Sequence, residues 1–138
     1  MEINGVAHVI LTVSDFDACR PFYKRLLAFL GLKAVIDADQ MLYCVGGRTA
    51  IGIMPCAAEH RGEKFVQQRV GLHHVCLRAR ERAEIDEAYK FLPSIGAKIV
   101  HPPEDGAWAP GYYSVLFEDP DGIRIEINHV PGKGLLTP

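Results

Sequence analysis

The feature that most constrains the fold is an internal repeat. The stretch 71–77, which contains His74, resembles the stretch 5–11, which contains His8. The offset is 66 residues for these two histidines and also for a Tyr-Lys dipeptide further along each copy. A shared offset that preserves the order of helices and strands indicates an internal duplication. We therefore expect two copies of one supersecondary unit.

Each copy has the pattern strand, helix and then three strands. β-branched alternation and turn residues predict strands at 5–13, 33–37, 41–45, 48–55, 71–77, 97–101, 112–118 and 123–130. Helical spacing predicts one helix that starts near Asp17 and ends at Gly31, and another that carries Ile85 and ends at Gly96. A Pro/Gly-rich loop at 102–111 contains Trp108.

These elements predict an α+β fold of two tandem βαβββ modules. The modules span 3–55 and 71–130, with a connector at 56–70 and a tail at 131–138, all within one domain. We expect the two half-sheets to form a cup-shaped mixed sheet with the helices on its outer face.

The last predicted strand follows the turn Asp119-Pro120-Asp121-Gly122, which suits a type I turn. Isoleucines then alternate with polar residues, so that the two sets lie on opposite sheet faces. The polar set comprises Arg124, Glu126 and Asn128. A carboxylate in the middle of such a strand lies either on a wet surface or in a site.

Strand parity places three metal-binding residue types on the face opposite the helices. They are His8, His74 and Glu126. Two imidazoles and one carboxylate suit a divalent first-row metal and leave coordination positions open. The same parity argues that Tyr112 and Tyr113 point to opposite faces, so that one of them faces the site.

Composition argues against several other classes of function. The chain has 138 residues and a formal net charge of −2, with no basic run that would indicate a nucleic-acid surface. No apolar stretch approaches the roughly 20 residues of a membrane helix, and no secretory signal precedes the first strand. The four cysteines form no CxxC pair, which favours reduced thiols in the cytoplasm.

The duplicated unit, the paired histidines and the ending Asp-Pro-Asp-Gly-Ile-Arg-Ile-Glu resemble the vicinal oxygen chelate superfamily. That group includes glyoxalase I, extradiol dioxygenases, methylmalonyl-CoA epimerase, fosfomycin resistance enzymes and bleomycin resistance proteins. The resemblance implies that His8, His74 and Glu126 bind Fe, Mn, Ni, Zn or Co, and that the ion chelates neighbouring oxygens of a small-molecule substrate. It also implies a homodimer.

Three positions depart from named subfamilies. Gly52 aligns with Glu126, where glyoxalase I and the epimerase usually have a fourth ligand, a glutamate. Leu116 stands where the dioxygenases carry a tyrosine, and Val9 follows the first histidine where the fosfomycin enzymes have a threonine. Gly52 would leave room near the metal, or would serve ordinary strand packing. Without a carboxylate there, the general base must come from elsewhere.

Further candidates surround the triad. Tyr112, Tyr113 and His101 are candidate acids or bases, with cavity lining or solvent exposure as the alternative. Candidate substrate-binding residues are Arg78, Arg124, Trp108 and Asn128. The arginines would hold an anion or only pair with nearby carboxylates, and the loop around Trp108 would be a lid or only a connector.

Two functions follow from these patterns. The first is a metal-dependent lyase, isomerase or dioxygenase of the glyoxalase type. The alternative is a non-catalytic binding protein of the bleomycin-resistance type, which keeps the fold and sequesters a small molecule. Such proteins often lose the metal ligands, and the intact triad therefore favours the enzyme.

Overall fold

The structure, a computed structural model, describes residues 1–134, so the last four residues of the predicted tail lie outside the described part. The chain divides into two compact units, Met1–Lys64 and a second that begins at Phe65. None of the helices found in the described residues has both the length and the apolar character required to cross a membrane.

Unit 1 is a four-stranded mixed sheet with one long helix. Its elements are β1 (Val9–Val13), α1 (Phe16–Phe29), β2 (Lys33–Ala38), β3 (Met41–Gly46) and β4 (Thr49–Pro55), followed by a 3-10 turn (Ala58–His60). The strand order is β1-β4-β3-β2. β1 pairs with β4 in parallel, and the other pairs are antiparallel.

Unit 2 repeats this arrangement. Its elements are β5 (Val75–Arg78), α2 (Arg82–Phe91), a 3-10 turn (Leu92–Ile95), β6 (Lys98–Asp105), β7 (Tyr113–Glu118) and β8 (Arg124–His129). The strand order is β5-β8-β7-β6, again with one parallel pair, β5 with β8. The predicted α+β fold of two βαβββ modules is therefore confirmed.

The helix of unit 1 begins where its capping residues predict. The Asp15 side chain accepts a hydrogen bond of 2.9 Å from the Ala18 amide, which satisfies one of the unpaired N–H groups at the helix start. Pro21 lies inside the helix. Gly31, at φ +81°, follows the helix end in a left-handed conformation. The apolar face of α1 buries Phe16, Cys19, Phe22, Tyr23, Leu26 and Leu27.

The second helix is shorter than its apolar spacing predicts. Glu84 accepts hydrogen bonds from the amides of Arg80 and Glu81, so a reciprocal capping box starts the helix. The α-helix ends at Phe91, and a 3-10 turn that includes Pro93 continues to Ile95. Gly96 at φ +77° closes the segment as predicted.

The Asp-Pro-Asp-Gly turn forms as predicted and is held by a buried carboxylate. The Gly122 amide donates to the Asp119 carbonyl at 3.0 Å, which is the hydrogen bond of a β-turn. Asp119 Oδ1 also accepts from the amides of Asp121 at 2.9 Å and Ile123 at 2.8 Å. The Asp121 carbonyl accepts from the Phe65 amide at 2.9 Å, so the turn also anchors the start of unit 2.

Several predicted strand boundaries were wrong. β1 and β5 begin one residue after His8 and His74, so both histidines precede their strands instead of lying within them. The hairpin loop between β3 and β4 is Gly47-Arg48, and both residues have positive φ, as the right-handed strand twist requires. β6 continues through two prolines to Asp105, into the segment predicted as loop. The prolines are tolerated because β6 is an edge strand with a shifted register.

An ion-pair cluster joins α1 to β2. Asp37 accepts hydrogen bonds from Lys24 Nζ at 2.6 Å and from Arg20 Nη2 at 2.5 Å. The hydrogen bond from Lys24, followed by that from Arg20, holds the pKa of Asp37 below its ordinary value. All three side chains are accessible to solvent, so the contribution of the cluster to stability is small and depends on salt.

The lowered pKa of Asp37 gives this stabilisation a defined pH dependence. A carboxyl group with a depressed folded-state pKa stabilises the protein above its unfolded pKa, about 3.9, and loses that effect as the pH falls through the folded value. The Asp37→Asn variant is therefore expected to be less stable than wild type at pH 6, with a difference that shrinks below about pH 4. Urea unfolding of both proteins from pH 6 to pH 2.5 measures this. A difference independent of pH would contradict the assignment.

Candidate metal centre

Unit 2 brings two of the predicted metal ligands together. Glu126 lies in β8, and His74 lies directly before β5, the strand that pairs with β8 in parallel. His74 Nε2 is 3.3 Å from Glu126 Oε2. The Glu126 side chain is only 13% exposed and that of His74 is 34% exposed. The pair is therefore partly shielded but still accessible from one side.

Tyr112 holds the other oxygen of the carboxylate. Its hydroxyl donates a short hydrogen bond to Glu126 Oε1. Burial, followed by this hydrogen bond to Glu126, raises the pKa of Tyr112, while a hydrogen bond to Asn128 partly offsets the shift. The phenol therefore keeps its proton at neutral pH. Of the two tyrosines with opposite parity, Tyr112 is the one that reaches the carboxylate.

Cys76 lies beside the same carboxylate. It pairs in register with Glu126 across the parallel strands. Desolvation and the negative charge of Glu126 raise the pKa of the Cys76 thiol, although part of the residue is open to solvent. The sulfur is therefore a neutral thiol rather than a reactive thiolate. None of the four cysteines forms a disulfide within the described part of the chain.

A second histidine contacts His74, and a glutamine contacts that second histidine. His73 Nδ1 lies 2.7 Å from His74 Nδ1 and 3.2 Å from Gln67 Nε2. The two imidazole rings are 5.0 Å apart at their centroids and inclined at 72°. Sequence patterns did not reveal Gln67 because it lies in an irregular connector, where only the folded chain shows which side chain it approaches.

The strand pairing of the two units supports the alignment of Gly52 with Glu126. In unit 1, Ile10 pairs with Gly52 across β1 and β4. In unit 2, Cys76 pairs with Glu126 across β5 and β8. In each case the first partner lies two residues after the histidine. His8 therefore occupies in unit 1 the place that His74 occupies in unit 2.

Gly52 leaves no space for a further ligand, because neighbouring side chains already fill it. A Cβ at Gly52 would lie 2.8 Å from Ile10 Cδ1, 3.0 Å from Tyr43 Cδ2 and 3.0 Å from the Leu42 carbonyl oxygen. The Tyr43 ring also contacts the His8 ring edge-on, at 6.3 Å between centroids. The expectation of open room beside Gly52 is therefore wrong, and strand packing is its role.

Tyr113 is used on the other side of the sheet. Its hydroxyl donates to Asp86 of α2 at 2.8 Å. The Arg82 guanidinium lies 3.5 Å from the centre of its ring and also pairs with Asp105. The hydrogen bond to Asp86 and burial raise the pKa of Tyr113. The structure thus joins Tyr113 to α2 and does not bring it to Glu126.

The two candidate anion-binding arginines have partners within the protein. Arg78 donates to the carbonyl oxygens of Val130 at 2.5 Å and Gly132 at 3.0 Å, and so holds the segment after β8. Arg124 lies 3.4 Å from Glu118. Arg124 thus pairs with a nearby carboxylate, the alternative considered for both residues, whereas Arg78 pairs with backbone carbonyls instead. Arg78 ends β5, the strand that follows His74, and Arg124 begins β8, the strand that carries Glu126.

His101 lies two strands away from the carboxylate, and Trp108 lies in an exposed loop. His101 pairs in register with Leu116, which itself pairs with Glu126, so it lies on the same face two strands away. That separation corresponds to about 10 Å at a strand spacing of 4.7–4.9 Å. His101 Nδ1 is 2.8 Å from the Pro102 carbonyl oxygen. Trp108 is 79% exposed, in a loop whose base packs against Tyr112.

The donor atoms of unit 2 fit one divalent ion as a pair. Two ligands bound to the same first-row ion at about 2.0–2.2 Å lie about 2.8–3.5 Å apart, and the observed separation of His74 Nε2 and Glu126 Oε2 is 3.3 Å. Among residues 1–134, no three side chains of His, Cys, Asp or Glu are grouped so as to hold a metal ion. Unit 2 by itself therefore supplies two donors.

Comparison with known proteins agrees with this architecture. The chain is 28% identical to the uncharacterized protein YqjT of Bacillus subtilis (strain 168) over 124 residues, which cover 87% of this chain and 94% of that protein. It is 26% identical to the metallothiol transferase FosB of Shouchella clausii (strain KSM-K16) over 127 residues, covering 91% and 80% of the two chains.

A crystal structure of a candidate glyoxalase from Bacillus halodurans superposes with a TM-score of 0.79 at 26% identity, and covers 92% of this chain and 96% of that one. The family profile described as "Glyoxalase/Bleomycin resistance protein/Dioxygenase superfamily" matches residues 5–127, which is most of the sequence. The chain therefore belongs to the glyoxalase/bleomycin resistance protein/dioxygenase superfamily.

Proposed function

We propose that the chain is a divalent-metal-dependent enzyme of the glyoxalase type, acting on a small molecule with neighbouring oxygen atoms. The observation that carries this proposal is the approach of His74 Nε2 to within 3.3 Å of Glu126 Oε2. An imidazole nitrogen and a carboxylate oxygen at this separation suit Fe, Mn, Ni, Zn or Co. His8, which the sequence pattern predicts as the other histidine ligand, occupies the equivalent place in unit 1.

The residues of the chain have distinct roles in this proposal. A bound ion would stabilise negative charge on substrate oxygens as a Lewis acid. Glu126 supplies the anionic ligand, and Tyr112 fixes the carboxylate by holding its other oxygen. The protonated phenol of Tyr112 can also donate a proton or a hydrogen bond to a substrate beside Glu126. Gly52 supplies no base, and His101, on the same face of the unit 2 sheet as Glu126, is the proposed general base.

The named relatives support metal dependence without fixing the reaction. One is called a metallothiol transferase, and the structural neighbour is described as a glyoxalase. These names point to different reactions, so the reaction class is to be resolved by assay. Dicarbonyl–thiol adducts and catechols, each tested with several divalent metals, separate these classes. A homodimer in the cytoplasm is part of the same proposal, and sedimentation analysis tests its oligomeric state.

Metal content is the direct test of the proposal. Protein purified without chelators is expected to hold about one divalent ion per chain, and the His74→Ala and Glu126→Gln variants are expected to lose it because each removes one donor. His60→Ala is the matched control, because His60 lies on the surface and pairs with Glu63. Elemental analysis and calorimetric titration with Co²⁺ and Zn²⁺ measure the difference.

Two outcomes would contradict the proposal. Wild-type protein that takes up no stoichiometric metal after titration would remove its main support. Equal metal content in wild type and His74→Ala would show that His74 is not a ligand and that the metal binds elsewhere. Metal-free wild-type protein that binds a small molecule without converting it would instead favour the bleomycin-resistance type of binding protein.

A further inference from the structure

We propose that Gln67 and His73 are positioning residues that fix the tautomer and direction of His74. They act through the chain of contacts Gln67 Nε2 to His73 Nδ1, 3.2 Å, and His73 Nδ1 to His74 Nδ1, 2.7 Å. This inference deepens the proposed function because it concerns how one ligand of the same site is oriented. His74 would be held with Nε2 unprotonated and aimed at Glu126.

The direction of the hydrogen bonds follows from the glutamine. An amide NH₂ group can only donate, so His73 Nδ1 must accept from Gln67 and carries no proton. Because His73 Nδ1 is then an acceptor, the 2.7 Å contact with His74 is favourable only when His74 Nδ1 carries the hydrogen. A neutral imidazole has one N–H, so Nε2 of His74 is left with a lone pair.

That lone pair faces a second acceptor. His74 Nε2 is 3.3 Å from Glu126 Oε2, and neither atom then has a hydrogen to share. Two facing acceptors repel each other unless a cation lies between them. The Tyr112 hydroxyl donates to the other oxygen of Glu126 and so fixes the carboxylate from its own side. The two ligand atoms, His74 Nε2 and Glu126 Oε2, are therefore oriented before any ion binds. Hydrogen bonds from outer residues orient the ligands of known metal sites in the same way.

The tautomer of His74 can be measured in the metal-free wild-type protein. Long-range ¹H–¹⁵N correlation spectra at about pH 8, where histidine is neutral, distinguish an Nδ1–H ring from an Nε2–H ring. His74 is expected as the Nδ1–H tautomer, and His73 as the Nε2–H tautomer. Finding His74 protonated on Nε2 would overturn the proposal. This measurement uses no variant, so it does not depend on whether a substituted protein folds.

Metal affinity supplies the second readout. Gln67→Leu removes the amide that donates to His73, and His73→Phe removes the nitrogen that accepts from His74. Each variant is expected to bind Co²⁺ or Zn²⁺ about 10- to 100-fold more weakly, the usual effect of losing such an orienting contact. His73→Asn is expected to recover much of the affinity because its amide oxygen offers an acceptor near the position of Nδ1. Gln68→Leu, at an exposed neighbouring position, is the control and should bind as wild type does.

The Gln67→Glu substitution distinguishes loss of the contact that orients His74 from an effect of added negative charge. In Gln67→Glu the new carboxylate accepts, so His73 must protonate Nδ1 and can no longer accept from His74. Added negative charge alone would tighten cation binding, whereas loss of the orienting contact weakens it. We expect weaker binding and an altered His74 tautomer. Tighter binding with an unchanged tautomer would overturn the positioning role.

The failure of this inference is distinguishable from failure of the proposed function. If wild-type protein binds no metal, the proposed function fails, while the metal-free tautomer spectrum still decides the hydrogen-bond directions. If wild type binds metal and all the Gln67 and His73 variants bind it equally well, the proposed function stands and the positioning role is wrong. Thermal unfolding of each variant confirms that the comparison is made on folded protein.

Discussion

Introducing a glutamate at Gly52 is expected to destabilise unit 1 by more than about 3 kcal/mol. Gly52 occupies the place equivalent to Glu126, so the substitution would look like the restoration of a fourth metal ligand. The space is taken, however, because a Cβ at Gly52 would lie 2.8 Å from Ile10 Cδ1 and 3.0 Å from the Leu42 carbonyl oxygen. A carboxylate there must displace packed atoms and lose its hydration. Urea unfolding measures the loss.

The Gly52→Ala variant isolates the steric part of this effect. Adding only the Cβ is expected to cost about 1–3 kcal/mol, the usual range for overpacking. Ile10→Val removes Cδ1, the closest of the three atoms. In a double-mutant cycle, Gly52→Ala should therefore cost less in the Ile10→Val background than in wild type. Additive free energies would mean that Ile10 does not restrict the site.

The second large effect is expected from Asp119→Ala. Asp119 is 5% exposed, and its Oδ1 accepts from the amides of Asp121 and Ile123. Alanine leaves these two buried N–H groups without their carboxylate, and each such loss costs about 1–3 kcal/mol. We expect a total destabilisation of about 2–6 kcal/mol, measured by urea unfolding. β8, which carries Glu126, starts directly after this turn.

Asp119→Asn is the matched comparison for that prediction. Its amide oxygen can still accept from the Asp121 and Ile123 amides, so we expect a smaller loss than with alanine. Equal destabilisation by the two variants would show that the negative charge of Asp119, rather than its acceptor geometry, stabilises the turn. No loss with alanine would show that water replaces the carboxylate at little cost.

The local signals in the sequence were sufficient for most of the fold. The repeat fixed the number of units, and alternation, caps and turn residues located nearly every helix and strand to within a few residues. Asp15 and Gly31, for example, act at the start and end of α1 as their residue types indicate. These signals succeed because capping and parity depend on neighbouring residues along the chain.

Predictions failed where a distant contact decides the conformation. β6 passes through Pro102 and Pro103 because β7 pairs with it from Lys98 to Asp105 despite its register shifts, and proline alone suggested a loop. Gly52 suggested open space, but its surroundings are set by side chains from β1 and β3. Neither partner can be read from the residues adjacent to these positions.

The candidate site shows the same division. Parity indicated that one of two tyrosines reaches Glu126, but only the fold identifies Tyr112 as that residue and pairs Tyr113 with Asp86. Arg78 and Arg124 were ambiguous because an arginine pairs equally well with a substrate anion or with a carbonyl or carboxylate of its own chain. Gln67 was missed because its contact with His73 depends on the path of an irregular segment.

The packing around Gly106 gives the protein an optical label of its own. A Cβ at Gly106 would meet the Tyr112 ring at 2.8 Å and the Trp108 ring at 3.3 Å, so the two aromatic rings approach the same backbone atom. Trp108 is the single tryptophan of the chain, so its emission is not mixed with that of any other indole. Tyr112 also binds Glu126, and Trp108 is largely exposed to water. A rearrangement at the carboxylate that moves Tyr112 is therefore expected to change the fluorescence of Trp108.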